Sequence, residues 1–373
     1  MPSKEILISG AGPSGLALGI FLAEQGFRPR IIDKKSEVSK YSKALGVNPR
    51  SLEILERYGI AQRFLSNGHK MPAVNLWKGD KHVLRNDFSK AKHKYPFVLV
   101  QPQRESELIL LEELAKRKIE VEYSTQLISF SESDARLNDP FGQGKVNAVI
   151  NKNGETSSHA CDILIAADGA HSDIRKQSGI EFRGFRYKET WELYDVELET
   201  SVPADEASIR IFNEGGMIMI RIKENTWRVA GNLQNVLHYL PKNTGTGTIS
   251  WQTKFNIAHN IAATLVKGNV VLIGDAAHIH SPIGGRGMNL GIEDAFVLSK
   301  FISGDRLQEY NKVRRPYLHR TVSRVNNMTQ FMAGHSAFRK FMRNRIGLFK
   351  PFFPFAMMMG RNFALGLDRN FHE

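Results

Sequence analysis

The chain reads as an α/β protein: a largely parallel sheet of buried strands, a separate antiparallel sheet, and helices at the C-terminus. Three observations predict this. Strand-length apolar runs end in glycine or carboxylate at three places: Glu5–Ile8 before Gly10, Ile163–Ala166 before Asp168-Gly169, and Val270–Ile273 before Gly274-Asp275. Between 181 and 232, alternating aromatic-containing segments are separated by turns such as Asn213-Glu214-Gly215-Gly216, the pattern of antiparallel strands. Beyond Ala295 the pattern is helical to about Arg345.

Composition sets the outer bounds. With 373 residues, 42% hydrophobic and 24% charged, the chain can bury a sizeable core. One cysteine, Cys161, excludes an internal disulfide and a multi-cysteine metal site, and suits a reducing, cytoplasmic setting. No apolar run is long enough to span a membrane, and the amino terminus enters a strand without a cleavable signal pattern. The net charge of +13 is unevenly placed: from Lys312 onward there are 12 Lys/Arg against 2 Asp/Glu. The basic character belongs to the tail and points to an anionic surface, not to nucleic acid.

Taken in order, residues 5–33 read as strand, glycine loop, helix, strand. Gly10-Ala11-Gly12-Pro13-Ser14-Gly15 is GxGxxG directly after an apolar run, Leu16–Gln25 continues as helix, and the next strand ends at Asp33, 23 residues after Gly10. In that context one glycine makes the tight turn, one admits a pyrophosphate and one lets helix and strand pack, while Asp33 accepts from a ribose. The motif does not separate FAD from NAD. Arg50–Tyr58 reads as a helix after a basic linker in which Lys43 and Arg50 could reach phosphates. Residues 71–100 look extended. Gln101–Leu114 is a helix with Gln103 and Arg104 at its start, and 119–166 return to strands. Ser172 is placed to cap the helix after Asp168-Gly169. From Leu233 to Lys267 the polar texture reads as helical.

The stretch 268–295 organises the whole. Its strand ends at Gly274-Asp275, Ser281-Pro282 makes a turn, and Gly284-Gly285-Arg286-Gly287 opens a helix from Met288 to Ser299. Glycines there let the backbone approach a flat or anionic ligand, and the helix start carries partial positive charge. Three strand ends of one kind converge on one extended ligand. His278 and His280, two apart with no cysteine near, read as loop hydrogen-bonding groups and not as metal ligands.

These three fingerprints, in this order, resemble the single-component flavoprotein monooxygenases of the para-hydroxybenzoate hydroxylase type, over residues 5 to about 330. The resemblance implies a Rossmann-like FAD-binding domain (1–70, 100–180, 268–300), an antiparallel-sheet substrate domain (71–99, 181–267) and a C-terminal helical segment (301–373). It implies that Gly10, Gly12, Ser14 and Gly15 hold the FAD pyrophosphate and Asp33 the adenosine ribose. Gln103 falls on the flavin side, Asp275 at the ribityl chain, and Gly285, Gly287, Asn289 and Leu290 at the isoalloxazine. Lys43, Gly169, Gly274 and Pro282 complete the cofactor set, and Asp168 lies where the family joins FAD binding to NAD(P)H use. Two departures stand out: Asp33 replaces the usual Glu, and Lys43 the usual Arg, losing bidentate phosphate geometry. The longer phenol hydroxylases carry an additional thioredoxin-like domain, and none is expected within these residues.

The activity implied is hydroxylation of an aromatic, phenolic substrate with NAD(P)H and O2 through a C4a-hydroperoxyflavin. No side chain is assigned as catalytic, since the cofactor carries the chemistry. The helix start near Gly287 would stabilise negative charge on the flavin by about 1 kcal/mol. FAD takes the one GxGxxG, so the nicotinamide is expected at a transient surface site near Asp168 and Arg175, with Lys34, Lys35 and Lys43 favouring NADPH. Arg210, Arg221, Tyr187, Tyr194 and Tyr239 are candidate substrate orienters. The alternatives are an epoxidase or polyketide-modifying monooxygenase, a flavin reductase, and a flavin redox sensor. A halogenase is disfavoured, because no Trp-x-Trp-x-Ile-Pro segment occurs. The segment 339–371, basic and then rich in Phe and Met, either touches a membrane surface or packs as terminal helices.

Overall fold

The computed structural model describes residues 4–42, 44–133, 144–334, 336–345 and 353–367. Lys43 lies outside them, as do Lys350 and Phe352 of the tail. A six-stranded sheet runs in the order 266–267, 270–272, 163–166, 6–9, 30–32, 121–122. Its strands are parallel except for 266–267, which pairs antiparallel with 270–271. Ile6–Ser9, Ile163–Ala166 and Val270–Leu272 are buried throughout, which is why they read as continuous apolar runs without alternation.

The helix Pro13–Ala23 packs on this sheet, with every residue from Gly15 to Leu22 buried. Its other side meets the helix Gly287–Ser303 at a contact made close by glycine. A Cβ on Gly291 would stand 2.1 Å from Ser14 Oγ, and one on Gly15 would stand 2.0 Å from the carbonyl oxygen of Gly10. Phe21 stacks on Tyr58 at 4.3 Å and meets Phe296 edge-on, so both helices share one apolar core with Pro49–Glu56. Asn48 caps that last helix by accepting from Ser51 N at 2.9 Å.

The second sheet has eight strands, in the order 278–279, 245–262, 182–199, 226–231, 216–223, 207–211, 73–78, 81–87. Its spine is the antiparallel pair Phe182–Glu199 and Gly245–Ala262, each 18 residues long. This corrects the helical expectation for 233–267. The segment is rich in Thr, Asn and Gln, but Trp251, Thr253, Phe255, Ile257 and His259 turn inward while their neighbours are more exposed. That period of two is a strand's, and the polar composition masked it. Strand 278–279 pairs with 260–261, which brings the loop after Gly274-Asp275 to the edge of this sheet. A small sheet pairs 98–100 with 46–47 on one side and 69–71 on the other. The chain closes with helices Tyr310–Ala333, Ala337–Asn344 and Phe353–Ala364.

Gly15→Ala forces a methyl group into backbone that cannot retreat. It is expected to lower unfolding stability by about 1–3 kcal/mol, the usual cost of overpacking. A denaturant midpoint equal to that of the parent would show that the helix start has slack.

Candidate active site

The three glycine devices meet at the carboxyl ends of neighbouring parallel strands, where open α/β sheets place ligands. Gly10 has φ of +113°, and a Cβ there would lie 2.2 Å from the carbonyl oxygen of Ala167, so glycine alone lets the two strand exits run side by side. Gly12 is the opposite case: a Cβ on it meets nothing within 4 Å. The space beside it faces the start of helix Pro13–Ala23, which has no side-chain cap. Uncapped N–H groups next to open space form a cradle for an anion.

Asp33 is buried and ties this cradle together. Its Oδ2 accepts from Ala11 N and its Oδ1 from Lys35 N, both at 2.8 Å. Each oxygen keeps a second lone pair for a ribose hydroxyl. Asp168 accepts from Asp173 N at 2.9 Å through Oδ2, while its Oδ1 is buried without a hydrogen-bond partner. Burial, partly offset by hydrogen bonds from Ser172 and the helix backbone, raises its pKa above the usual carboxylate value. A buried acceptor with no donor signals a polar group that belongs there. Gly169, at φ of +86°, leaves open space beside it.

Ser172 caps its helix as expected, accepting from Arg175 N at 3.0 Å. Arg175 itself corrects an expectation. It is buried, donates to the carbonyls of Ala276 and Ala170, and lies 3.8 Å over the Phe182 ring. A guanidinium clamped this way joins the Asp168 and Asp275 loops and is no surface contact for nicotinamide. Gln103 donates to Glu107 at 2.8 Å and accepts from Ala44 N, fixing the segment next to Lys43.

In the opening stretch, Gly274 (φ +58°) begins a single turn whose middle residue, Asp275, is exposed. Pro282 is exposed and accepts from Gly285 N at 3.0 Å, and Gly285 (φ +60°) has open space where a side chain would be. Gly287 starts the following helix. The Asn289 side chain accepts from Asn48 N and donates to the carbonyls of Gly46 and Gly285, so it binds the glycine turn to the strand 46–47. Leu290 is buried, and its N–H is used within the helix, donating to Arg286 O. These are positioning contacts, made within the protein.

Sequence reasoning missed the group beneath this turn. Asp294, fully buried, accepts from Gly274 N at 3.0 Å, His278 Nε2 at 2.6 Å and Arg314 Nε at 2.6 Å. Arg314 also reaches Glu293 at 3.3 Å, and Arg286, equally buried, lies 3.7 Å from the same carboxyl group. The signal was available: Glu293-Asp294 are paired acids inside an otherwise apolar helix, and buried charges need partners. His280 Nδ1 donates to Ser281 O, 2.8 Å away, a hydrogen bond within the loop, whereas His278 lies on a strand and bonds the carboxylate of Asp294.

The expected orienters on the eight-stranded sheet are engaged elsewhere. Arg210 binds Gly79 O and Asp80, Arg221 binds Ala204 O, Tyr187 bonds Asn326, Tyr239 packs edge-on to Phe212, and Tyr194 packs on the Val196 core. Arg228 was not singled out. It is buried, pairs with both oxygens of Asp195 at 2.8 Å, and donates to Ser42 O at 2.7 Å. Beside it Tyr41 stacks on Trp251 at 5.5 Å. The sheet therefore holds the loop that leads from Asp33 past Lys43.

A protein family described as FAD binding domain matches residues 3–230 and 221–325. The chain belongs to this family. Its cofactor is FAD, and the open cradle at Gly12 together with the partnerless Asp168 Oδ1 fit that group. The chain is 28% identical to a pentachlorophenol 4-monooxygenase of Sphingobium chlorophenolicum, over 88% of this chain and 65% of that protein. It is 30% identical to an uncharacterised aromatic compound monooxygenase of Bacillus subtilis, over 80% of this chain and 61% of that one. It thus spans under two thirds of the length of these relatives. Among solved structures, p-nitrophenol 4-monooxygenase of Pseudomonas putida shares the fold, with a TM-score of 0.82 over 97% of this chain and 98% of that one at 19% identity.

Asp294→Asn leaves Arg314 and His278 without their shared carboxylate and is expected to cost about 3–5 kcal/mol. Burial opposes ionisation of Asp294, but His278 and Arg314 outweigh it and hold its pKa below the usual carboxylate value. A depressed folded pKa contributes stability that is complete above the unfolded value, about 3.9, and lost as pH falls through the folded one. Chemical denaturation at stepped pH should therefore show an acid-side loss that Asp294→Asn lacks. Parallel curves for the two proteins would remove Asp294 from this role.

Proposed function

We propose that the protein is an FAD-dependent monooxygenase that takes reducing equivalents from NAD(P)H and transfers one oxygen atom of O2 to an aromatic, phenolic substrate. The observation that carries this is the convergence of the Gly10–Gly15 cradle, Asp33, Asp168 and Gly274-Asp275 at adjoining strand ends, with the eight-stranded sheet pinned beside them by Arg228. The relatives named for pentachlorophenol and p-nitrophenol support the substrate class.

Bound FAD supplies hydride acceptance and oxygen activation. The chain's own residues bind and orient. Gly10, Gly12, Ser14 and Gly15 take the pyrophosphate at the helix start, Asp33 takes the ribose, and Asp275 takes the ribityl chain. Gly285, Gly287, Asn289 and Leu290 shape the turn against the flavin ring, and Gln103 and Pro282 border it. Asp168, with one oxygen unused, accepts a hydrogen bond from the cofactor. The buried, unpaired Cys161, its thiol pKa pushed up to about 12 by burial, suits a reducing cytoplasm. The same reading includes a peripheral membrane contact through the basic C-terminal segment.

Purified protein is expected to carry noncovalent FAD, and Gly12→Val to abolish retention by filling the cradle. Asp275→Ala should weaken retention, read as faster FAD loss on dilution, while the fold survives. A Gly12→Val protein with parental flavin content would refute the assignment of the cradle.

Oxygen uptake coupled to NAD(P)H oxidation should rise when phenols are added, with a hydroxylated product by mass spectrometry. Flavin reduction without oxygen uptake or product would instead support a reductase or sensor.

A further inference from the structure

The last two helices each have one anchored side. Arg343 is buried and donates to Met332 O and Asn213 O, fixing Ala337–Asn344. Phe363 is buried, its carbonyl accepts from Arg286 at 2.7 Å, and Leu365 joins a core with Leu45, Met71 and Phe88, fixing Phe353–Ala364. Both helices also carry large apolar side chains outward. Of the eleven exposed large hydrophobic residues among those described, five lie on these two helices: Phe338 (71% exposed), Phe341, Phe355 (65%), Met358 and Met359. Single exposed apolar groups are ordinary, but five on two successive helices are not.

Charge selects the occupant. Residues 336–345 and 353–367 hold Arg339, Lys340, Arg343, Arg345 and Arg361 and no acid. A cavity of about 320 Å³ lies between strand Lys81–Asp87 and helix Phe353–Ala364. Its lining includes Lys90 and Arg361 together with Met357 and Met358. Arg85, also on its wall, is shared by Asp87 at 2.9 Å and Glu206 at 2.6 Å, so the free cations of the wall are Lys90 and Arg361, whose Nε is buried without a partner. Cation next to thioether, on a helix that also exposes Phe355, matches a phosphate headgroup with the first part of its acyl chain.

We propose that helices Ala337–Asn344 and Phe353–Ala364 form a docking face for an anionic phospholipid bilayer, with one headgroup phosphate seated between Lys90 and Arg361. This deepens the peripheral contact within the functional reading above and is independent of the flavin chemistry. The rings of Phe338, Phe341 and Phe355 enter the headgroup boundary, and Arg339, Lys340 and Arg345 face the lipid charge. A hydrophobic substrate dissolved in the lipid would then be delivered to the protein at its source.

The test is co-sedimentation of the full FAD-loaded protein with phosphatidylcholine vesicles, with and without phosphatidylglycerol. Bound FAD, melting temperature and NAD(P)H oxidation are read in the same samples. The expected result is binding only to the anionic vesicles, abolished in Phe338→Asp/Phe341→Asp. Each cation near such a surface contributes about 1 kcal/mol, so Arg339→Gln/Lys340→Gln should weaken partitioning roughly 25-fold. Arg361→Gln should weaken it further in the presence of Lys90, while inorganic phosphate fails to compete. All variants should keep parental flavin content, because none of these side chains belongs to the cofactor set. Protein left in the supernatant with both vesicle types overturns the proposal, as does a dimer that Phe338→Asp/Phe341→Asp splits, which would make the face a contact between two copies. Vesicle binding without any NAD(P)H oxidation would uphold the docking face and tell against the enzyme reading.

Discussion

The carboxylate of Asp294 is the constraint on which the site depends. It holds the backbone of Gly274, the ring of His278 and the guanidinium of Arg314 at once, with no solvent to share the load. Burying such a charge is favourable only when each lone pair is met, so the three partners are fixed relative to one another. The consequence reaches across the molecule. Gly274 begins the turn that presents Asp275, His278 starts the strand that joins the eight-stranded sheet, and Arg314 belongs to the long helix Tyr310–Ala333. One buried anion thus sets the position of the parallel sheet's last turn, the neighbouring sheet's edge and the helix Tyr310–Ala333.

The second constraint is how closely backbone approaches backbone. The strand exits at Gly10 and Ala167 run together because no Cβ intervenes, and the helices at Ser14 and Gly291 touch for the same reason. Close packing at these points leaves the space beside Gly12, Gly169 and Gly285 open. A long, flat, anionic ligand needs this distribution, with rigid walls and glycine only where it must pass. The orphaned Asp168 Oδ1 adds a directed acceptor on the same wall.

Between the two large sheets, the strand 278–279 and the apolar contacts of Ile261 and Ala262 make one junction, and polar ties at the loop after Asp33 make another. Arg228 bonds Asp195 on the adjacent strand and Ser42 on the loop, and the Tyr41–Trp251 stack lies against it. Gln103 braces the far side of Lys43 through Ala44. The segment expected to meet the cofactor phosphates is therefore held from both sides by residues that do not themselves reach for a phosphate. The Arg175 clamp plays the same part between the Asp168 and Asp275 loops. Several cations that a sequence reading assigns to ligands are in fact the ties between loops, because a buried guanidinium with several donors is well suited to collecting carbonyl oxygens.

The sequence by itself determined the parallel core, the glycine cradle, Asp33 at the end of its strand and the Ser172 cap. Each depends on local rules: continuous apolar runs for buried strands, glycine where a side chain cannot fit, and a hydroxyl where a helix begins. It did not reveal the long strand Gly245–Ala262, whose polar residues hid a period of two that becomes decisive only when Phe182–Glu199 lies alongside it. Nor did it reveal which charges are buried. Asp294 with Arg314, and Arg228 with Asp195, are 20 and 33 residues apart in sequence, and only the packing of distant elements makes them partners. The tertiary structure alone decided which arginines are ties, which carboxylate lacks a donor, and which phenylalanines of the tail face outward, because burial is a property of the assembled chain and not of any segment.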